Sequence, residues 1–261
     1  MANTRVVSNL PYSDVDERCR LDLYLPSGPA SSVLVWFHGG GLTEGDKKVG
    51  EPLGRMLARH GIASVMANYR LNPHAKFPAY LLDAANAVVW MSRHATEHGL
   101  DPKKIFIGGI SAGAYLAAML ALDERYLRAE GLDPAVLRGC IILSAQVATH
   151  FKVREEKGLP TAGVVSDEAA PMYYVRKDTM PLLLMVAQDD IPNRLEENQL
   201  FLTALKNTGN TRVAFKLIPG RTHNTLDTQV SEPGDPVGEA MVEFLAQSSG
   251  SFDKLRMTES Q

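Results

Sequence analysis

The sequence is short of several things, and each shortage closes a possibility. Only 2 of its 261 residues are cysteine. Cys19 and Cys140 both lie in apolar, strand-like stretches, so they read as buried free thiols, and a structural zinc cluster lacks ligands. No apolar run approaches the roughly 20 residues that cross a membrane as a helix. Neither charge dominates, with 27 Lys and Arg against 30 Asp and Glu. That balance offers no basic face for nucleic acid or anionic lipid. Met1 to Pro11 lacks the basic and apolar blocks of a secretion signal, so the expectation is a cytoplasmic protein.

What is present is core material, since 45% of the residues are hydrophobic. The pattern alternates strand and helix. Arg20 to Leu25 alternates polar and apolar residues, as an early half-exposed strand does. Continuous apolar runs follow at Ser32 to Phe37, Ile62 to Ala67, Ile105 to Ile107, Cys140 to Leu143, Leu182 to Val186 and Val213 to Ile218. Such runs suit strands buried on both faces. Helical patterns cover Pro52 to His60, Ala79 to His98, Ala112 to Leu122, Leu195 to Asn207 and Val237 to Ala246. The expectation is an α/β fold, with a mostly parallel central sheet and helices on both faces. Residues 1–246 read as a single domain. Gln146 to Ala170 is too long for an ordinary connection and reads as a lid or functional loop. Within it, Arg154 to Lys157 reads as a solvated charged turn, as does Lys47-Lys48 earlier. Residues 247–261 read as a mobile polar tail.

Two motifs carry chemistry. Gly109-Ile110-Ser111-Ala112-Gly113 follows a strand and opens a helix, the context of a nucleophile elbow. The turn is so sharp that residues two before and two after the serine must be small. The helix behind it aims its first amides and the positive end of its dipole at the reacting oxygen. His38-Gly39-Gly40-Gly41 follows the strand ending at Phe37. Three glycines in a row cost conformational entropy and make sense where backbone amides must approach a substrate. Gly40, Gly41 and Ala112 are therefore the candidate oxyanion donors, and His38 reads as a structural hydrogen-bonding residue.

The partners of Ser111 should follow in the order acid, then histidine. His223 is the only histidine after His150, and it lies in a loop just beyond an apolar strand. Asp189 and Asp190 both end the strand from Leu182, and spacing does not choose between them. Asp227 is poorer because it follows the histidine. His150, Phe151 and Val153 are candidates to line an acyl or alcohol pocket.

Together these residues resemble the hormone-sensitive-lipase-like branch of the α/β-hydrolases, close to the small carboxylesterases with His-Gly-Gly-Gly loops. Asn68-Tyr69-Arg70-Leu71-Asn72-Pro73, Phe77-Pro78-Ala79, Asp83 and Tyr115-Leu116-Ala117 carry the resemblance further, from about Leu21 to Phe244. It implies an α/β-hydrolase fold and hydrolysis of short-chain acyl esters through an acyl-enzyme, with no metal and no organic cofactor. It also implies Asp190 as the acid, because Val186-Ala187-Gln188-Asp189-Asp190 matches the family's Gly-x-x-Asp ending with Ala187 in place of the glycine. Only about twenty residues precede Leu21, too few for a two-helix cap, so the expected lid is reduced and comes mainly from Gln146 to Ala170. The small-molecule partner is then an ester. Acetyl or feruloyl esters of carbohydrate and arylformamides are the alternatives, and a non-catalytic binding protein of the same fold is the rival of another class. An exposed edge strand or the last helix leaves room for a homodimer.

Overall fold

The computed structural model describes residues 4–246. The expected tail, 247–261, lies outside the described residues. Eight strands form one sheet in the order β1-β2-β4-β3-β5-β6-β7-β8. They are β1 (Arg5–Pro11), β2 (Arg20–Leu25), β3 (Val33–Phe37), β4 (Ala63–Ala67), β5 (Ile105–Ile110), β6 (Leu137–Leu143), β7 (Leu182–Asp189) and β8 (Val213–Thr222). From β4 to β8 every pairing is parallel, and β1 and β2 add antiparallel at one edge.

The helices are α1 (Glu51–Arg59), α2 (Ala79–His94), α3 (Ala112–Leu122), α4 (Arg125–Ala129), α5 (Phe151–Glu156), α6 (Arg194–Asn207), α7 (His223–Thr228) and α8 (Pro236–Ala246). They give the sheet two buried layers. One packs α2 and α3 against Val35, Phe37, Val65 and Ile107. The other packs α1 and α8 against Leu34, Trp36, Met66 and Phe106. Even residues and odd residues of each strand thus face different layers, which is why these strands read as continuous apolar runs.

Connection order places the site. The chain leaves β3 for β4 on one side, then crosses back to β5 on the other. The carboxyl ends of β3 and β5 therefore diverge into a crevice, the usual ligand position of an open parallel sheet. Phe37 pairs in register with Gly109, so the two glycine motifs emerge side by side.

Four readings of the sequence need correction. β2 is buried, not half-exposed, because β1 covers its edge and Asp22 is drawn inside by the Lys47 ammonium at 2.7 Å. Lys47 is thus no solvated residue. Arg154 is 3% exposed, its guanidinium donating to the Gly163 carbonyl at 2.7 Å, while Lys157 pairs with Asp167 and Glu168. Arg154 to Glu156 close helix α5, with Arg154 buried in the packing, while Glu155 and Lys157 are exposed as read. Finally, β8 runs on through Pro219 to Thr222, which a strand tolerates at the edge of a sheet, where not every N–H is needed. Both cysteines are buried and free, as read.

Candidate active site

Ser111 sits between β5 and α3 with φ 56 and ψ -116, a left-handed backbone that costs a non-glycine residue energy. Its amide extends the sheet to the Leu143 carbonyl at 2.9 Å, and its carbonyl accepts from Tyr115 N at 3.0 Å to begin the helix. The strain is held by close packing on either side. A Cβ at Gly113 would lie 2.0 Å from the Phe37 carbonyl oxygen, and one at Gly109 would lie 2.3 Å from the Gly113 carbonyl carbon. Both glycines of the pentapeptide are therefore required by contact.

The glycine loop is built around His38. Its ring stacks on Tyr69 at 4.5 Å, and the Tyr69 hydroxyl donates to the His38 carbonyl at 2.8 Å. Arg18 donates to the Tyr69 carbonyl at 2.8 Å and also to the Gly45 carbonyl. Burial pushes the His38 imidazole down to about 4, so it is neutral scaffolding. Gly40 (φ 108) and Gly41 (φ 62) are left-handed, and the Gly40 carbonyl accepts from Thr43 N and Glu44 N at 3.0 Å each. Those bonds close the turn through a carbonyl and spend no amide of the two glycines. Among the described residues the N–H groups of Gly40, Gly41 and Ala112 have no protein acceptor.

The Asn68 to Asp83 segment supports this loop. Asn68 accepts from Lys47 N at 2.6 Å, Asn72 N donates to the Leu42 carbonyl at 2.8 Å, and Arg70 grips Asp83 through both carboxylate oxygens. The Asn72 side chain also reaches Glu156 of α5 at 2.8 Å, which Phe77 N and the Tyr80 hydroxyl also contact. One segment thus ties the glycine loop to α5.

On the other side, His223 Nδ1 lies 2.7 Å from Asp190 Oδ1. His223 is the first residue of α7, fixed by the Thr222–Thr225 capping box directly after β8. Asp190 follows the end of β7, and its carboxylate is 1% exposed. Burial alone would raise its pKa. The His223, Ser144 and Ile191 N–H or O–H donors outweigh that and hold it below the ordinary carboxylate range. Asp189 is exposed and holds no side-chain hydrogen bond among the described residues. Asp227, one turn beyond His223, is raised by burial and makes no bond to it.

Ser144 was not singled out from the sequence, yet its hydroxyl contacts Asp190 Oδ2 at 2.5 Å and His223 Nδ1 at 3.1 Å. The available signal was its place directly after the carboxyl end of β6, beside the strands that carry Ser111 and Asp190. Of the three pocket candidates, Phe151 reaches the surface, whereas Val153 is fully buried in the core. A Cβ on Gly41 would come within 3.2 Å of its ring. His150 is buried behind it, 4.7 Å from the Phe151 ring and 5.1 Å from the Tyr115 ring, and burial pushes it down to about 3. Among the described residues no group of His, Cys, Asp or Glu is arranged to hold a metal ion. None of their helices is long and apolar enough to cross a membrane.

Fold and strand order define an α/β-hydrolase. The chain belongs to the prolyl oligopeptidase family, whose model matches residues 82–251, and a BD-FAE model matches residues 21–139. Its relatives carry esterase names, in keeping with the resemblance to the hormone-sensitive-lipase-like branch. Esterase LipQ of Mycobacterium tuberculosis is 26% identical over 91% of this chain and 61% of its own length. An acetyl esterase of Salmonella choleraesuis is 34% identical over 49% of this chain and 39% of its own length. The matches thus span less than two thirds of either relative. Among solved structures, Thermogutta terrifontis esterase 2 with bound propionate superposes with a TM-score of 0.72 at 24% identity, covering 99% of this chain and 94% of that one. A truncated carbohydrate esterase from gut microbiota reaches 0.74 at 19% identity, covering 92% and 95%. At such identities the likeness speaks for the fold.

Proposed function

We propose that this protein is a serine carboxylesterase acting on short-chain acyl esters, with Ser111 as nucleophile, His223 as base and Asp190 as its orienting acid. The observation that carries the reading is the Asp190–His223 contact at 2.7 Å, formed by residues 33 apart at the ends of neighbouring parallel strands. An ionised carboxylate against Nδ1 fixes the proton there and leaves Nε2 free to take the Ser111 proton. The Ser111 oxygen attacks the ester carbonyl, and the resulting oxyanion is met by the amides of Gly40, Gly41 and Ala112. His223 then protonates the departing alcohol, and water releases the acid from the acyl-enzyme by the same route in reverse. The unengaged amides and the strained elbow support these roles, and the relatives' esterase names support the reaction class.

Phe151, backed by His150, forms the wall beside Gly41 and limits the acyl group to a few carbons. The substrate is a small ester, and neither a metal nor an organic cofactor enters the reaction. The test is hydrolysis of p-nitrophenyl acetate through decanoate by the wild type and Ser111→Ala. Activity on the shortest acyl groups that vanishes in the variant is the expected result. Turnover surviving in Ser111→Ala overturns the nucleophile, and failure of Ser111 to react with a fluorophosphonate marks a binding protein instead. Acetylated xylan, methyl ferulate, N-formylkynurenine and a prolyl peptide anilide belong in the same panel, the last because the family is named for peptide cleavage.

A further inference from the structure

Asp190 is unusually well supplied with donors. Oδ1 accepts from His223 Nδ1 at 2.7 Å and from Ile191 N at 2.8 Å, and Oδ2 accepts from Ser144 Oγ at 2.5 Å and from Ala187 N at 3.3 Å. Four donors meet the four lone-pair sites of an ionised carboxylate. The hydroxyl of Ser144 is the short one on Oδ2.

Ser144 is not there by accident of packing. It is a non-glycine residue with φ 52, directly after β6. Its N–H continues the sheet to the Met185 carbonyl at 2.8 Å, and its carbonyl is taken by the buried Arg194 guanidinium at 2.5 Å. Asn198 takes the next carbonyl, Ala145, at 2.8 Å, and Glu197 accepts from Ala148 N at 2.6 Å. The first turns of α6 therefore hold residues 144–148 in place, and α6 begins four residues after Asp190. One short stretch supplies both the acid and the clamp that turns a serine toward it.

The proton count assigns the directions. His223 Nδ1–H faces the ionised Asp190, so the Ser144 proton goes to Oδ2, and the Ser144 oxygen sits 3.1 Å from Nδ1 as a second acceptor for that N–H. From this arrangement we infer that Ser144 is a positioning residue of the triad: its hydroxyl fixes the Asp190 carboxylate and, through it, the tautomer, tilt and basicity of the His223 ring. The role presupposes the esterase reading for its kinetic consequence, though not for its effect on His223 itself.

Removing the hydroxyl leaves Oδ2 with only the 3.3 Å amide. The less stabilised carboxylate then draws more strongly on the imidazolium, and the His223 midpoint rises. The charged groups facing the pair are Arg194 of α6, itself offset by Glu197, and Asp227 of α7, and none of them changes in the variants. The experiment compares wild type, Ser144→Ala and Ser144→Gly, the glycine keeping the left-handed backbone without strain, and Ser144→Thr, which restores a hydroxyl. Each is followed by an NMR titration of the His223 ring, by thermal melting, and by the pH profile of p-nitrophenyl acetate hydrolysis. Expected is a His223 midpoint raised by about one pH unit in both the alanine and glycine variants. With it, kcat falls by roughly tenfold at unchanged KM, and threonine restores part of both. An unmoved His223 midpoint, whatever happens to melting temperature or rate, overturns the proposal. If instead Ser111→Ala keeps its turnover, the esterase reading fails alone, and the NMR titration still decides the role of Ser144.

Discussion

Asp190 and His223 meet at 2.7 Å, while Asp189, the residue before Asp190, stands exposed at the end of β7. β7 ends at Asp189, whose side chain is exposed, and the chain turns at Asp190 to bury its carboxylate, so only Asp190 serves the histidine. Asp190→Asn is expected to lower kcat by about 10⁴, as loss of the orienting charge lets the imidazole adopt the wrong tautomer. Asp189→Asn is expected to leave kcat within a factor of two. Steady-state kinetics on p-nitrophenyl acetate reads both, and equal losses would refute the assignment.

The elbow depends on backbone contact at Gly113, where a Cβ would stand 2.0 Å from the Phe37 carbonyl oxygen. Neither the strand end nor the helix can give way cheaply, because both are buried in the sheet's central layer. Gly113→Ala is expected to destabilise the protein by about 3 kcal/mol or more. Urea unfolding at neutral pH measures it, and a loss below about 1 kcal/mol would show that α3 can shift.

Phe151 stands against Gly41 and is partly open to solvent. Truncating it to alanine is expected to open the acyl side of the site. The ratio of kcat/KM for p-nitrophenyl octanoate over acetate should rise about tenfold, within the range that one hydrophobic contact commands. An unchanged ratio would place the acyl pocket elsewhere.

His38 and His150 are both buried, which depresses them to about 4 and about 3 from 6.5. The unfolded chain binds protons at these residues below pH 6.5, whereas the folded protein keeps both neutral until the depressed values are reached. Stability is therefore full above about pH 7 and falls as pH drops, by about 1.4 kcal/mol per unit for each histidine between 6.5 and roughly 4. His150→Asn keeps a side chain able to cap α5 and removes one titrating group. Urea melts from pH 7.0 to 5.0 should show the slope falling by about half in that variant.

Much of this was legible in the sequence because it rests on local physics. Apolar runs marked the central strands, and glycines flanking Ser111 and following His38 marked the two places where backbone must come close. Where local and tertiary effects competed, tertiary contacts won. Lys47 reads as solvated until Asp22 is seen across 25 residues of chain, drawing it inside at 2.7 Å. Arg154 reads likewise until the Gly163 carbonyl receives it. β1 was not recognised, since an exposed antiparallel edge shows little apolar periodicity.

The sequence by itself determined the mostly parallel sheet, the strand–turn–helix at Ser111 and the glycine run after His38, because each follows from residue type and spacing. Spacing left Asp189 and Asp190 open and the family pattern pointed to Asp190; the tertiary structure shows which aspartate faces His223, and it alone shows that Ser144 joins them. Both depend on the registers at which β6, β7 and β8 end, including the irregularity between Ala187 and Asp189. A one-residue change in a strand's exit turns a side chain to the opposite face, and spacing along the chain carries no record of it.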